Sequence, residues 1–351
     1  MQKTILITGG CGFIGTNASS YFLKQGYRVI AFDNLSRVGA KENLDWLKKK
    51  NGDFTFVQGD VRNEDDLAKV FNDDKHKPDY VLHLAAQVTM VTSVKNPRED
   101  FENNALGTFN VLEAMRLAKC KAPAIYTSTN KVMGELLDVP FIEKDKRYEY
   151  KDIKGINENF RLDFHGPYGC SKGCADQYWL DYSRIYGLNT VVFRQSGIYG
   201  PHQFGIEEQG WLAWFCNANY FDKWVTIFGD GKQVRDVLYV QDVLNAYDLA
   251  FQNIDKTRGK PYCIGGGPVC SLSIWELFDM IEKLSGKKMT VKTPFSDWRP
   301  GDQKIYISDI ARATKDFGWT PKVKPDEGVT KLYNWIGENL PVIEKSGVFK
   351  R

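Results

Sequence analysis

The chain has 351 residues, 42% of them hydrophobic and 26% charged, with 47 Lys and Arg against 44 Asp and Glu. That length supports one large domain or two modest ones, and a net charge of +3 without a long basic run argues against a nucleic-acid partner. Seven scattered cysteines argue against a disulfide scaffold or a zinc site, and no apolar run approaches the roughly 20 residues of a membrane helix.

In chain order, KTILITGG enters a strand at once and leaves no room for a signal peptide, so a cytoplasmic protein free of membrane is expected. Apolar runs predict strands over Thr4–Thr8, Tyr27–Asp33, Phe54–Gly59, Tyr80–Leu84, Ala124–Ser128 and Thr190–Arg194. Helical periodicity falls between them, over Phe13–Gln25, Ala40–Lys50, Glu64–Asn72, Asn104–Ala118 and Ser171–Tyr186. This alternation predicts an α/β fold, a Rossmann-type doubly wound parallel sheet with a smaller, interleaved C-terminal substrate domain. Residues 1–195 form the dinucleotide-binding domain, with later contributions near 236–268 and 307–325, and 196–351 form mainly the substrate domain. Late helices are expected over Ser273–Leu284, Ile310–Phe317 and Asp326–Asn339, and Ser346–Arg351 reads as a short polar tail. The charged stretch Glu143–His165 falls at the carboxyl edge of the sheet, where ligands bind.

Thr8-Gly9-Gly10-Cys11-Gly12-Phe13-Ile14-Gly15 lies between the first strand and the first helix, the context a dinucleotide loop requires. Gly9, Gly12 and Gly15 allow the tight turn and the approach of a pyrophosphate, while Phe13 and Ile14 open the helix whose N–H groups face the phosphates. The second strand ends in Asp33, followed by Asn34, 18 residues beyond Gly15. A carboxylate there accepts from both ribose hydroxyls and repels a 2′-phosphate, which favours NAD; Arg37 nearby keeps NADP as the minority alternative. Asp60 and Val61 after the third strand, and Leu84, Ala85 and Ala86 after the fourth, complete the candidate cofactor wall.

Tyr168 and Lys172 stand at i and i+4, on one face of a helix. A phenol is a poor base at its usual pKa of about 10, and a neighbouring ammonium would favour the phenolate. Alone, such a pair is commonplace. Here the strand AIYTST ends upstream in Ser128 and Thr129, whose hydroxyls are placed to bond a substrate oxygen, with Thr129 preferred.

With TGGCGFIG, FDNLSR, GDVR, HLAA, STNKVMG, YGCSK, FRQSGIYGP, GDGKQVRDVLYVQDV and RPGDQ in order, the chain resembles the extended short-chain dehydrogenase/reductases. GINENFRLDFHGPYGCSKGCADQY and LNTVVFRQSGIYGPHQFG resemble the CDP-paratose 2-epimerases within that family. The resemblance implies an NAD-dependent nucleotide-sugar epimerase, with Tyr168 as base, Lys172 as ribose ligand and Thr129 as substrate positioner. It also implies Arg235 and Arg299 as diphosphate ligands, no metal, and a homo-oligomer, dimer or tetramer, joined through helices of the nucleotide-binding domain. A structural ion pair with Asp236 or Asp302 is the competing reading of either arginine. Dehydratases of the family follow the Thr with an acidic pair; Asn130-Lys131 stand here instead, which argues against elimination of water. Relatives usually carry VYG where this chain has Val132-Met133-Gly134. The alternatives are a C4 epimerase, a C2 epimerase of another nucleotide sugar, and, in a different class, a non-catalytic NAD-binding sensor. Phe160, Phe164, Met133 and Phe204 are the apolar side chains that could face a deoxygenated sugar, with plain core packing as the more common fate.

Overall fold

The computed structural model describes residues 2–299 and 301–349; Pro300 of RPGD, and Lys350 and Arg351 of the expected tail, lie outside them. Seven strands form the central sheet: β1 (Thr4–Thr8), β2 (Arg28–Asp33), β3 (Phe54–Gln58), β4 (Tyr80–His83), β5 (Ala124–Thr129), β6 (Thr190–Gln195) and β7 (Pro261–Ile264). The first six fall within one residue of their expected bounds. Their spatial order is β3-β2-β1-β4-β5-β6-β7, every pair parallel. The order reverses between β1 and β4, which opens a crevice at the carboxyl ends of both strands.

Strand β1 illustrates why the sheet is covered on both faces. Its side chains alternate, so Ile5 and Ile7 enter one core and Leu6 the other. The first core takes Phe22 from helix α1 (Phe13–Lys24), Val243, Leu244 and Tyr247 from the helix Val240–Gln252, and Phe317. The opposite core takes Val111 and Leu112 from α2 (Gly107–Leu117), and Trp179 from α3 (Gly166–Tyr186). Continuous apolar runs such as TILIT are what a strand buried on two faces demands.

A second lobe has its own core, built from the helices Trp211–Tyr220, Ile274–Ser285 and Pro325–Glu338. Beside it the strand Val234–Tyr239 pairs with Gly197–Tyr199, Ser271–Ser273 and Ile305–Tyr306. No helix among the described residues is long and apolar enough to cross a membrane.

Three expectations are corrected. Helix α3 begins at Gly166 rather than Ser171, with Pro167 in its first turn, so Tyr168 is already helical. The helix expected from Asn104 opens instead with a π-turn over Glu102–Leu106 before α2. The polar tail is not a tail: Leu340–Ser346 is helical and Phe349 is buried, its ring 4.9 Å from Trp214 and 5.2 Å from Phe221. Those two residues leave an apolar gap at the end of the second core, and Phe349 fills it.

Candidate functional site

The crevice holds a cavity of about 340 Å³, of the size that small-molecule sites occupy. Its floor is the turn from β1 into α1. Gly9 has φ +69°, and a Cβ there would stand 2.8 Å from the Ala85 nitrogen. At Gly15 a Cβ would stand 2.1 Å from the Gly9 oxygen, so only glycine lets the helix seat on the strand. Gly12 caps α1 without any side-chain hydrogen bond, and Phe13 and Ile14 follow it, so the first N–H groups of the helix face the cavity uncapped.

Asp33, Asn34, Val61, Leu84, Ala85 and Ala86 form the surrounding wall. The Asp33 carboxylate accepts from the backbone N–H of Cys11 at 2.9 Å and of Leu35 at 2.7 Å, which fixes it at the end of β2. Asp60 is the one expected cofactor residue that does not reach the wall. Its carboxylate is taken by Arg62, at 2.7 and 3.0 Å, and by Asn34, and the Arg62 bond lowers it to about 2. Arg37 also lines the cavity, with its guanidinium bonded to Gln209.

A second cavity, of about 300 Å³, adjoins the first, and Thr129 and Tyr168 line both. Burial pushes the Tyr168 phenol up to about 12; a hydrogen bond with Thr129 opposes the rise and the charge of Asp100 adds to it. Lys172 is 3% exposed, and burial brings its ammonium down to about 7 against the charges of Asp100 and Asp176. Its Nζ donates to the Thr127 carbonyl at 2.6 Å and stands 4.4 Å over the Tyr126 ring. The ammonium is thus engaged with the end of β5, and the causes that set the phenol in the free chain are burial, Thr129 and Asp100. Ser128 lines the first cavity only, and its Oγ is buried without a partner.

Arg235 and Arg299 both line the second cavity. Arg235 donates to Asp302 at 2.6 Å; Asp236 instead accepts from the Ser308 N–H at 3.0 Å and the Gly267 N–H at 3.2 Å. Lys131 joins the same carboxylate at 3.1 Å and also bonds the Gly301 carbonyl. Burial acts to raise the Asp302 carboxyl, but Lys131 and Arg235 hold it far below the usual range. Arg299 lies 3.9 Å from the Phe228 ring and donates to the Glu207 carbonyl, while its Nε is buried and unpartnered.

The stretch Glu143–His165 contributes no lining residue to either cavity, contrary to expectation. Its Ile156 and Phe160 pack with Met133, Cys263 and Tyr306, which accounts for Met133 as a core residue. Phe164 lies against Gly173, where a Cβ would meet its ring at 2.4 Å, and Phe204 alone of the four apolar candidates lines a cavity. The competing reading of Arg235 as an ion pair with Asp302 is what the structure shows; what the sequence reading missed is Lys131 on the same carboxylate, and Gln303, which accepts from Asn130 Nδ2 at 3.0 Å. Asp302 lies 171 residues from Lys131 and 67 from Arg235, and Gln303 lies 173 from Asn130, so only the RPGDQ motif hinted at these contacts.

The family model described as GDP-mannose 4,6 dehydratase matches residues 6–332. The chain is 48% identical over 338 residues to the CDP-paratose 2-epimerase of Salmonella typhi, covering 94% of this chain and 98% of that protein. It superposes on the UDP-glucose 4-epimerase of Thermotoga maritima, solved with UDP-glucose, with a TM-score of 0.80 and 31% identity over 96% and 99% of the two chains. The UDP-glucose 4-epimerase of Thermus thermophilus in complex with NAD gives a TM-score of 0.79 and 29% identity over 95% and 99%.

The buried Lys172 makes a prediction for stability. A folded-state pKa near 7 against an ordinary 10.5 means that the unfolded chain binds more protons between those values, so folding is favoured as pH rises through that window. Below pH 7 the charged form carries its full desolvation cost. Lys172→Met should therefore stabilise the ligand-free protein at pH 7 by roughly 2–4 kcal/mol, with the gain fading toward pH 10, as followed by urea unfolding.

Proposed function

The chain belongs to the extended short-chain dehydrogenase/reductases, in the family described as GDP-mannose 4,6 dehydratase, and on that premise we propose that it is an NAD-dependent nucleotide-sugar epimerase inverting C2 of a CDP-hexose, CDP-paratose to CDP-tyvelose. The observation that carries this reading is the junction of the two cavities: Thr129 and Tyr168 belong to both, one of dinucleotide character and one lined by two arginines. The first cavity fits the cofactor. Its glycines leave no room for a side chain, the N-terminus of α1 is uncapped, and the Asp33 carboxylate stands at the end of β2 where a ribose would lie.

NAD held by these residues would supply the acceptor for a hydride from the sugar carbon and the donor for its return. Tyr168 takes the hydroxyl proton from that carbon as it is oxidised, and gives it back when the ketone is reduced. Thr129 donates to the same oxygen and holds it at the phenol. Lys172 bonds the cofactor ribose and, once a positive ring stands nearby, favours the phenolate. Arg235 and Arg299 grip the diphosphate, for which a guanidinium fork suits two oxygens. The 2-keto sugar then offers its opposite face, and the product is the C2 epimer. Dehydration lacks its acid: Asn130 is bonded to Gln303, and Lys131 is an ammonium held by Asp302. Loss of Tyr168 would leave a binding protein, which is how a non-catalytic sensor would behave from the start.

A homo-oligomer is supported by the outer faces of α2 and α3. Phe109 packs edge-on to the half-exposed Tyr178, and Leu106 and Phe101, in the turns that precede α2, are exposed. Sedimentation should give a dimer or larger, and Tyr178→Glu should shift it toward monomer.

Incubation with CDP-paratose, CDP-glucose and UDP-glucose, followed by NMR of the sugar ring, should show inversion at C2 of a cytidine sugar. Inversion at C4 keeps the mechanism and overturns the substrate, and no turnover of any of the three favours the sensor. Tyr168→Phe should lose about 10²–10⁴ in kcat while retaining bound NAD.

A further inference from the structure

Beside α3 lies a buried carboxylate that the reaction above does not use. Asp100, on the short helix Pro97–Phe101, is wholly inaccessible to solvent. Its Oδ1 accepts from Gln87 Nε2 at 2.8 Å and Asn104 Nδ2 at 3.1 Å, and its Oδ2 accepts from Ser171 Oγ at 2.5 Å. The donors are themselves fixed. The Gln87 N–H donates to Asn104 Oδ1 at 2.9 Å, and Asn104 Nδ2 also reaches Ser171 Oγ at 3.1 Å. Asn104 lies in the π-turn that precedes α2, a departure from α geometry of the kind that accompanies functional sites.

All three donors are neutral, and no Lys or Arg of the described residues stands within ion-pair distance of Asp100. A carboxylate buried without a paired cation is costly, and three hydrogen bonds offset only part of that cost. The cation its field does reach is Lys172, the chain neighbour of Ser171; the same field opposes charge on Tyr168. The other groups facing Lys172 do not compete for this role. Asp176 is neutralised by Arg194 through bonds of 2.9 and 3.0 Å. His83 is kept neutral by burial, down to about 3, and is bonded to Thr8 and Thr108. Tyr126 offers the face of its ring and Thr127 its carbonyl, neither of them a charge. Burial raises the Asp100 carboxyl while Ser171, Gln87 and the Lys172 charge oppose that rise, and among the described residues it is the carboxylate near the pair with no cation bonded to it.

We propose that Asp100 is a positioning residue for this reaction: its carboxylate, locked by Gln87, Asn104 and Ser171 one residue from Lys172, keeps the buried ammonium charged while Tyr168 exchanges its proton with the sugar. The proposal rests on the roles given to Tyr168 and Lys172 above. Because Asp100 favours the proton on both groups, removing its charge moves both titrations in the same direction, toward lower pH. That is a signature a merely structural residue would not leave.

Asp100→Asn preserves shape and keeps an acceptor for Gln87 and Asn104. In protein carrying ¹³C-labelled lysine, with the Lys172 signal assigned by its loss in Lys172→Met, the midpoint of Lys172 in the cofactor-loaded enzyme should fall by about one pH unit or more in Asp100→Asn. Both limbs of its kcat/KM profile should move to lower pH with it. Ser171→Ala retains the carboxylate and should leave the Lys172 midpoint close to that of the wild type. An unchanged midpoint in Asp100→Asn overturns the proposal. So does a fall in activity with the profile in place, or a shift in Ser171→Ala as large as in Asp100→Asn. The lysine titration needs no turnover, so it decides the role of Asp100 even where the substrate reading fails.

Discussion

Burial of a phenol and an ammonium at one dry junction is the constraint around which the site is arranged. In the free chain it works against the chemistry, raising Tyr168 and lowering Lys172, so that the neutral form of each group is favoured. The fold answers with local partners: a carbonyl and an aromatic face for Lys172, a hydroxyl for Tyr168, and a carboxylate that favours charge on Lys172 while opposing it on Tyr168. In the proposed roles, catalytic competence would depend on ligands, since the positive ring of the cofactor and the hydroxyl of the sugar would be what converts a protonated phenol into a base.

The junction is also where the two lobes meet. Thr129 ends β5 of the central sheet, and Lys131, two residues later, is tied through Asp302 to Arg235 on the small sheet. If Arg235 takes its proposed role, a substrate diphosphate would meet it already paired with Asp302. Binding would then exchange one anion for another rather than fill an unpaired cation. The same carboxylate also holds Lys131, in the residue pair that follows Thr129.

The sequence disclosed what is local and periodic. Predominantly apolar runs marked six strands because most of the sheet is covered on both faces, and the glycine loop was legible because its spacing answers a backbone requirement, seen here in the 2.1 Å that a Gly15 Cβ would leave. Tyr168 and Lys172 stand four apart on a helix, as the sequence indicated, but that spacing alone is commonplace, and their roles came from the resemblance of YGCSK and its neighbouring motifs. What escaped notice is non-local. Asp60 looked like a wall residue by its place after β3, but Arg62, two positions on, captures its carboxylate. Asp100 lies in a stretch, NPREDFENN, that reads as an ordinary solvated helix start; only the packing of that segment against α3 buries it. Phe349 sits in a short polar terminus, and nothing nearby in sequence signals the gap between Trp214 and Phe221 that it fills. The fold was thus readable from periodicity, whereas the electrostatics of the site depend on contacts that periodicity does not encode.

The central claim is that one carbon is oxidised and then reduced by the same hydride. The most direct measurement supplies CDP-paratose deuterated at C2 in ordinary water and follows the label by NMR and mass spectrometry. The account predicts that the inverted product keeps its deuterium at C2 through many turnovers. Loss of the label to solvent at the rate of inversion would mean proton abstraction from carbon, and would contradict the hydride mechanism assigned to this site.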